Sequence, residues 1–142
     1  MVPLNIETYF QSLYARRHSA ARIRHRSVSI GDWVPERNRC HANVDHFVKL
    51  NQCSKAVRGW MIISEDANGR CWFEAHSVIE EQGELLDITL PDQAACNLIR
   101  FLRHVGTEEE FWKIAIDGGH RQMLYPPLTH QELRNADFEE DD

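Results

Sequence analysis

Apolar positions in the first third of the chain repeat with helical spacing in two segments. The first segment is residues 6–22, where Asn5 can cap the start and the shared apolar face comprises Ile6, Phe10, Leu13 and Tyr14. The second is residues 40–51, where Asn38 can cap the start and the inward face comprises Cys40, Val44, Phe47 and Val48 or Leu50. Residues 27–39 between them contain turn-forming residues and are predicted to be irregular.

The hydrophobic pattern then changes to that of β-strands. Residues 56–64 and 70–80 are rich in β-branched and aromatic side chains, and Asn68 with Gly69 is a common hairpin turn. A second turn at Gln82 and Gly83 leads into a third strand, residues 85–90. Helices followed by a meander predict the α+β class. We expect an antiparallel sheet of three or more strands, packed against the N-terminal helix and the helix bearing Cys40.

The rest of the chain returns to helical spacing. Residues 92–105 and the segment after Thr107 both predict helices, and Thr107 with the acidic residues that follow resembles a helix start. Residues 120–142 are predicted to be mostly loop, with a short helical segment that Thr129 can cap. We therefore expect one catalytic-type domain over residues 1–130 and an acidic C-terminal tail over residues 131–142.

Composition narrows the classes of protein to consider. The chain has 142 residues, 42% hydrophobic and 27% charged, which is typical of one soluble globular domain. No apolar run approaches the ~20 residues of a membrane span. The N-terminal segment lacks the basic-then-apolar order of a secretory signal, so we expect a cytoplasmic protein. A net charge of −6 makes nucleic acid an unexpected partner, and the oligomeric state stays open.

Charge is unevenly distributed along the chain. Residues 16–39 contain seven arginines and two acidic residues, whereas residues 137–142 are almost purely acidic. The arginines fit a solvated helix face, and the acidic end fits a frayed tail. The alternative is an anionic partner at the arginine-rich N-terminal helix, or a contact between that helix and the tail.

Four cysteines raise the question of thiol chemistry. They are widely spaced and include no C-x-x-C pair, which argues against a disulfide framework and against structural zinc. We expect no metal and no cofactor, and we expect three of the four to be small buried residues. A zinc-binding module remains an alternative, with a ligand set of Cys40, His41, His46 and Cys53.

Cys40, His76 and Asp87 form the constellation with the clearest chemistry. Cys40 lies at a predicted helix N-terminus, and the helix dipole there favours the reactive thiolate over a thiol whose pKa is about 8.5. An imidazolium from His76 would lower that pKa further and serve as general acid or base. Asp87, on the neighbouring strand, could fix the tautomer of His76.

The hairpin register decides whether His76 and Asp87 meet. A two-residue loop at residues 81–82 or 82–83 places them on one face, directly opposite in the first case and diagonal in the second. A three-residue loop places them on opposite faces unless a bulge intervenes. Structural roles are the alternatives: Cys40 as a core thiol, His76 as a satisfied core histidine, and Asp87 as a solvent-facing residue of an alternating strand.

Four short motifs resemble the papain-like cysteine superfamily, in particular its transglutaminase-like branch. They are N-R-C-H-A-N-V at 38–44, V-R-G-W at 57–60, E-A-H-S-V at 74–78 and G-E-L-L-D-I-T at 83–89. The similar stretch, residues 33–89, is under half of the chain. The resemblance implies a papain-like core in which Cys40 is the nucleophile, His76 the general base and Asp87 the orienting carboxylate.

By this resemblance the protein is expected to be a thiol hydrolase or acyl transferase that acts on an amide or isopeptide bond through an acyl-thioester. Protease, deamidase and amidase activity all fit, on a peptide, a protein or a small amide. Ser77 follows the histidine where many members have Trp or Tyr, and Gly-x-x-Cys is absent. The oxyanion and cleft candidates are the N–H of Cys40, Trp33, Asn38 and Asn43. The alternative is an inactive binding or regulatory domain of the same fold.

Overall fold

A computed structural model describes residues 5–140, with side chains through residue 135. Within these residues the helices are α1 (Ile6–Ala15), α2 (Cys40–Leu50), α3 (Gln93–Asn97), α4 (Glu108–Trp112) and α5 (His130–Glu140). The strands are β1 (Arg24–His25), β2 (Lys55–Glu65), β3 (Cys71–Glu81), β4 (Glu84–Asp87), β5 (Arg100–Arg103) and β6 (Gln122–Tyr125). No helix of this part of the chain is long and apolar enough to cross a bilayer.

The strands form one mixed sheet, which confirms the α+β class. The order is β1-β4-β3-β2-β5, and β6 pairs with β3. All pairs are antiparallel except β1 with β4, where Arg24 lies opposite Leu86 and His25 opposite Asp87 in parallel register. The expectation of an antiparallel sheet is therefore wrong at this edge, because β1, which follows α1 in the chain, runs parallel to β4.

The two predicted hairpins form at the expected turns. The first joins β2 and β3 and pairs Val57 with Val78. The second joins β3 and β4 through a two-residue loop of Gln82 and Gly83, with Glu81 opposite Glu84. Both loop residues have positive φ (52° and 80°), which is the backbone that a tight two-residue hairpin needs. This loop decides the register at the site.

Three predicted elements differ from the structure. The first helix ends at Ala15 rather than at residue 22, because Ala21 leaves the helix to exchange two 2.8 Å backbone hydrogen bonds with Phe101. The predicted helix over residues 92–105 stops at Asn97, and the residues that follow form β5 beside β2. β6 lies where a loop was expected. In the last two cases, pairing with a neighbouring strand determines the structure, and the local spacing of apolar residues does not.

Helices α1 and α2 both pack on one face of the sheet. Strand residues alternate between faces, so Phe73, Ala75 and Ile79 share this face. Phe73 and Ala75 pack in the cluster that contains Phe10 and Leu13 of α1, while Ile79 packs with α2. The opposite face buries a separate cluster: Ile23, Val57, Met61, Val78, Ile99 and Phe101. His76 points to this second face because it is two residues from Val78.

One edge of β3 has an opening between its partners. β6 pairs with residues 71–74 and β4 with residues 79–81, so residues 75–78 have no neighbouring strand on that side. The Ala75 N–H donates to the Arg121 carbonyl at 2.8 Å, which closes one end of the opening. Helix α2 contacts β3 and carries Cys40 at its first residue.

Many charged groups of the arginine-rich segment are engaged within the molecule. Arg17 pairs with Glu65 at 3.9 Å, Arg24 with Glu84 at 3.2 Å, and Arg26 with Glu81. Each of these arginines lies after the end of α1, so the predicted basic face does not belong to that helix. An anionic partner at this segment stays a prediction.

Most of the predicted tail is helical within the described residues, because α5 occupies residues 130–140. Thr129 donates its N–H to Glu132 and accepts from the Glu132 N–H, at 3.1 and 3.2 Å, so it caps the helix as predicted. Glu132 also pairs with the buried Arg70. Residues 141–142 of the predicted tail lie outside the described residues.

Candidate active site

Cys40 is the first residue of α2 and lies at an end of the helix that no side chain caps. Asn38, the predicted cap, instead adopts a left-handed backbone conformation (φ 62°) and leaves Arg39 at the cap position. The Asn43 N–H donates to the Arg39 carbonyl at 2.9 Å. Helix geometry leaves the N–H groups before that bond without helical partners, so the helix end that bears Cys40 carries partial positive charge.

His76 and Asp87 form a buried hydrogen-bonded pair. The two-residue hairpin loop makes them diagonal neighbours on one face, and His76 Nε2 bonds Asp87 Oδ2. The other carboxylate oxygen, Oδ1, accepts the N–H groups of Thr89 and Leu90 at 2.8 and 2.7 Å. His76 is 3% exposed and Asp87 is fully buried. The imidazole therefore has a fixed orientation, with Nδ1 left for another partner.

The pair is charged near neutral pH. Burial lowers the pKa of His76, but hydrogen bonds to Asp87 and Cys40 outweigh burial and raise it to about 10. For Asp87, burial raises the pKa, yet the hydrogen bond with His76 leaves it below its ordinary value. Each group stabilises the charged form of the other.

The imidazoles of His41 and His76 both lower the pKa of the Cys40 thiol. Burial raises the pKa of the thiol, whereas hydrogen bonds with His41 and His76 lower it, and the net result is a pKa of about 6. Because His76 Nε2 is bound to Asp87, Nδ1 is the nitrogen that faces the sulfur. Between these two pKa values the site holds a thiolate beside an imidazolium, which is the reactive form of a cysteine nucleophile.

The sulfur and His76 open into a cavity of about 940 Å³. The cavity is lined by residues 38–42, 61, 74–76, 89–90, 119 and 121–122. Met61, Glu74 and His76 line it from the face of the sheet opposite α2, and the first turn of α2 lines it at the opening of the β3 edge. Cys40 is partly exposed, and a reactant can therefore reach the thiolate.

Only one of the three cleft side chains named from the sequence lines this cavity. Asn38 does, but Trp33 and Asn43 do not. Asn43 is buried, and its amide is occupied: it accepts from the Glu36 N–H at 2.9 Å and donates to the Glu36 carbonyl and to Thr89 at 2.8 and 3.0 Å. Trp33 packs on His46, with ring centres 4.5 Å apart. The Asn43 amide is therefore fully used, and the Trp33 side chain lies outside the cavity lining.

Two other features of the site were not predicted from the sequence. The sequence named His41 only as a ligand in the zinc alternative, but its Nδ1 lies 2.6 Å from Ser77 Oγ and it lines the same cavity as Cys40. Arg58 is buried and donates to the same hydroxyl at 2.9 Å. Helical spacing could not reveal these contacts, because they depend on where α2 meets the edge of β3.

The zinc site considered from the sequence can be compared with where its four ligands lie. Among the described residues, no group of three or more His, Cys, Asp or Glu side chains could hold a metal ion. Of the four ligands in the zinc alternative, Cys40 and His41 lie in the site, His46 packs on Trp33, and Cys53 is exposed beyond the end of α2.

Comparison of the chain with protein-family models, curated proteins and solved structures found no match. The arrangement offers a low-pKa thiolate, an imidazolium that can give up its proton, and an open helix end beside both. Together these groups can attack a carbonyl and protonate a leaving group.

Proposed function

We propose that the protein is a cysteine-dependent hydrolase of amide bonds, with a papain-like core of the transglutaminase-like branch. The observation that carries this proposal is the chain of contacts from Cys40 to His76 to Asp87 beside an open cavity. The substrate class is a peptide, a protein side-chain amide or a small amide. Its carbonyl would enter the cavity next to the sulfur.

The first half of the reaction forms an acyl-thioester. The Cys40 thiolate attacks the carbonyl carbon, and the electron pair of the C=O bond moves onto oxygen. When that pair returns, the C–N bond breaks and His76 gives its proton to the departing amine. Asp87 keeps the imidazole in place throughout, because its second oxygen is fixed by two backbone N–H groups.

The second half releases the acid. Neutral His76 takes a proton from water as the water oxygen attacks the thioester carbonyl, and the C–S bond breaks to restore the thiolate beside an imidazolium. An amine in place of water would give acyl transfer by the same steps. We favour hydrolysis for this small domain.

The uncapped start of α2 is the proposed oxyanion site. The backbone N–H of Cys40 belongs to the first turn, where helical partners are missing and no side chain substitutes for them. Since Trp33 and Asn43 lie outside the cavity lining, the backbone is the better donor. An N–H at this position costs no reorganisation during the reaction.

The contacts between elements support the proposed core. The helix that carries the nucleophile packs on the strand that carries the histidine, and the next strand in the sheet carries the carboxylate. This is the arrangement that the resemblance of residues 33–89 implies. The parallel strand β1 and the strand β6 extend the sheet around that core.

Selective alkylation tests the proposal, with Cys53 as a control inside the same molecule. Cys53 is exposed and lies away from the site, whereas Cys40 is only partly exposed. At neutral pH we expect iodoacetamide to modify Cys40 faster than Cys53, as followed by peptide mass spectrometry. His76→Ala should remove this excess rate. Equal rates at the two cysteines, or no effect of His76→Ala, would contradict an activated thiol.

Turnover is tested on a panel of peptide amides, glutamine side-chain amides and simple aryl amides. Wild-type protein should release amine or ammonia from at least one of these, and Cys40→Ser should release none. An activated thiol with no turnover and no acyl-enzyme on any substrate would instead favour a binding domain that kept the fold and lost the reaction.

A further inference from the structure

Glu74 is an acidic residue of the cavity that the proposed reaction does not yet use. Strand β3 carries Glu74, Glu80 and Glu81. Glu80 and Glu81 are each paired with an arginine. Among the residues that the structure describes, Glu74 forms no ion pair, and its side chain accepts one hydrogen bond, from Gln122 Nε2 at 3.2 Å. No cation of this part of the chain therefore neutralises the Glu74 carboxylate.

Strand geometry places this carboxylate beside a reacting group. Glu74 and His76 are two residues apart in β3, so they point to the same face, with their Cα atoms about 7 Å apart. Gln122 lies opposite Glu74 in β6 and shares that face. All three residues line the cavity. Because Gln122 bonds Oε1 of Glu74, the other carboxylate oxygen, Oε2, is left for a molecule in the cavity.

The position of Glu74 corresponds to the leaving-group side of the proposed reaction. The proposed oxyanion site is the start of α2, and His76 gives its proton to the departing amine. Asp87 bonds His76 from β4, which pairs with residues 79–81 of β3, whereas Glu74 lies toward the opposite end of the strand. A substituent on the amine that extends along β3 away from Asp87 therefore meets Glu74.

The space between His76 and Glu74 fits a short carbon chain. Met61 lies opposite Glu74 in β2 and is buried, and Leu90 lines the same cavity. An ammonium group bonded to Glu74 at ~2.8 Å would lie about 4 to 6 Å from the nitrogen that His76 protonates. A chain of about three carbons spans this distance.

The other charged residues of the lining lie on different sides of the cavity. Arg39 immediately precedes α2, on the oxyanion side, and pairs with Glu36 at 3.2 Å. The Arg121 carbonyl accepts the Ala75 N–H at 2.8 Å, so Arg121 lies opposite Ala75 and strand alternation directs its side chain away from the face of Glu74. Glu74 is therefore the charged side chain that the leaving-group side presents to a substrate.

We propose that Glu74 is a specificity-determining residue, which binds an ammonium group on the leaving amine through Oε2. The substrate class is then an amide whose amine half carries a second, positively charged nitrogen about three carbons away, as in the amide of a diamine. The inference rests on the proposed function and names the substrate class of that site. A charge-assisted hydrogen bond favours such an amine over a neutral amine of the same size.

Charge-matched thiol reagents test the cavity without a substrate. Aminoethyl and methyl methanethiosulfonate transfer a cationic and a neutral group, respectively, to a thiolate. Each protein receives an equal mixture of both in less than stoichiometric amount. Peptide mass spectrometry gives the ratio of the two adducts on Cys40, divided by the same ratio on the exposed Cys53. Because both adducts form on one sulfur, a change in thiol reactivity cancels, and the ratio reports the charge nearby.

Two variants isolate the charge of Glu74. Glu74→Gln removes it but keeps an oxygen that can accept from Gln122. Glu80→Gln is the matched control, because it removes a charge from the same face of the same strand outside the cavity lining. Cooperative urea unfolding confirms that both variants fold.

We expect Glu74→Gln to lower the adduct ratio on Cys40 by about 3- to 10-fold, the effect of one unit charge several ångströms away in a partly aqueous space. Glu80→Gln should leave the ratio at its wild-type value. An unchanged ratio in Glu74→Gln, or an equal fall in Glu80→Gln, would overturn the inference.

Matched amides test the substrate class. The acyl group is that of the fastest substrate in the panel, and the leaving amine is 1,3-diaminopropane, its neutral analogue butylamine, or the anionic β-alanine. Wild-type kcat/KM should be about 10-fold higher for the diamine amide than for the butyl amide, and Glu74→Gln should remove this preference. Turnover without a charge preference, or a preference for β-alanine, would overturn the inference and leave the proposed function standing. If no amide is turned over, the proposed function fails, and the adduct ratio still decides whether Glu74 attracts a cation.

Discussion

At the scale of single residues, burial opposes every ionised group in the site, and each is kept charged by its neighbour. The pKa of Asp87 stays low because of His76, and the pKa of His76 is raised by Asp87 and Cys40. The thiol pKa falls because the imidazoles of His41 and His76 both lower it. The site therefore behaves as one coupled unit, and removing one member changes the others.

The coupled pKa values predict a pH window for hydrolysis. The rate should rise as pH increases through about 6, where Cys40 loses its proton. It should fall as pH increases through about 10, where His76 loses the proton that the leaving group needs. Alkylation needs only the thiolate, so it should rise through about 6 and not fall at high pH. An alkylation profile with its midpoint near the ordinary thiol pKa would contradict the thiolate assignment.

Asp87→Asn tests how the buried pair affects stability. The raised pKa of His76 stabilises the fold fully below its unfolded value of 6.5, and this contribution is lost as pH rises through about 10. The lowered pKa of Asp87 contributes above its unfolded value of 3.8. Asp87→Asn should thus lower the free energy of unfolding by about 3 kcal/mol near pH 5 to 6.

The same loss should shrink as pH rises from about 6.5 through about 10, measured by urea unfolding across pH. His76→Ala is the control, since Asp87→Asn added to it should show little of this pH dependence. A loss that is constant from pH 5 to 11 would mean that Asp87 acts through its backbone hydrogen bonds rather than through the charge of His76. Asp87→Asn should also reduce turnover steeply, by ~10⁴ in the best-studied triad.

At the scale of elements, the first turn of α2 has no side-chain cap, and the loop that leads into it is nevertheless held in place. No side chain caps the N–H groups there, and the proposed reaction uses them as oxyanion donors. The loop before the helix must nevertheless be fixed, and Asn43 does this one turn later by bonding both backbone groups of Glu36. Asn43 also donates to Thr89, which lies two residues after β4 ends at Asp87. One buried amide thus joins the helix, its leading loop and the end of β4.

Asn43→Ala should destabilise the protein by about 2 kcal/mol, because buried partners lose their hydrogen bonds. The matched control is Asn51→Ala at the other end of α2, where the amide donates only to the Phe47 carbonyl at 2.9 Å. Urea unfolding should show a clearly smaller effect for the control. Asn43→Ala should also slow alkylation of Cys40, because Arg39 and the first turn lose their support. Equal stability losses in the two variants would rule out a special role for Asn43.

At the scale of the whole molecule, the site exists because one sheet edge is interrupted. β4 and β6 take opposite ends of β3 and leave residues 75–78 between them. The helix on one face can therefore present its first residue to a cavity on the other. Among the described side chains of the C-terminal helix α5, none lines the cavity, and the helix is attached elsewhere, through Glu132 and the buried Arg70.

Glu132→Gln should therefore loosen α5 and leave the site unchanged. Limited proteolysis should cut residues 126–135 faster in this variant, because Arg70 loses a charged partner on the helix and Thr129 loses part of its cap. Glu109→Gln is the control, since Glu109 pairs with Lys113 at 3.3 Å on the exposed face of α4. Alkylation of Cys40 should match wild type in both variants. Slower alkylation in Glu132→Gln would show that α5 supports the site.

Local patterns were reliable where one strong signal dominated. The helix at Cys40 and the turn at Gln82 and Gly83 both follow from their own residues, and the turn then sets the register of His76 and Asp87. Patterns failed where long-range pairing competed with local spacing. Ile99 and Leu102 fit one helical repeat, yet their side chains pack in clusters on opposite faces of the sheet, because the segment that contains Leu102 pairs with β2.

The sequence by itself determined the α+β class, the hairpins and the choice of Cys40, His76 and Asp87, because these depend on spacing and turn chemistry within short stretches. Only the tertiary structure decided that β1 runs parallel to β4, that Trp33 and Asn43 lie outside the cavity lining, and that His41 and Arg58 both bond Ser77. The physical reason is distance along the chain. A contact between residues far apart depends on how α2 is seated against the edge of β3, and no local pattern encodes that placement.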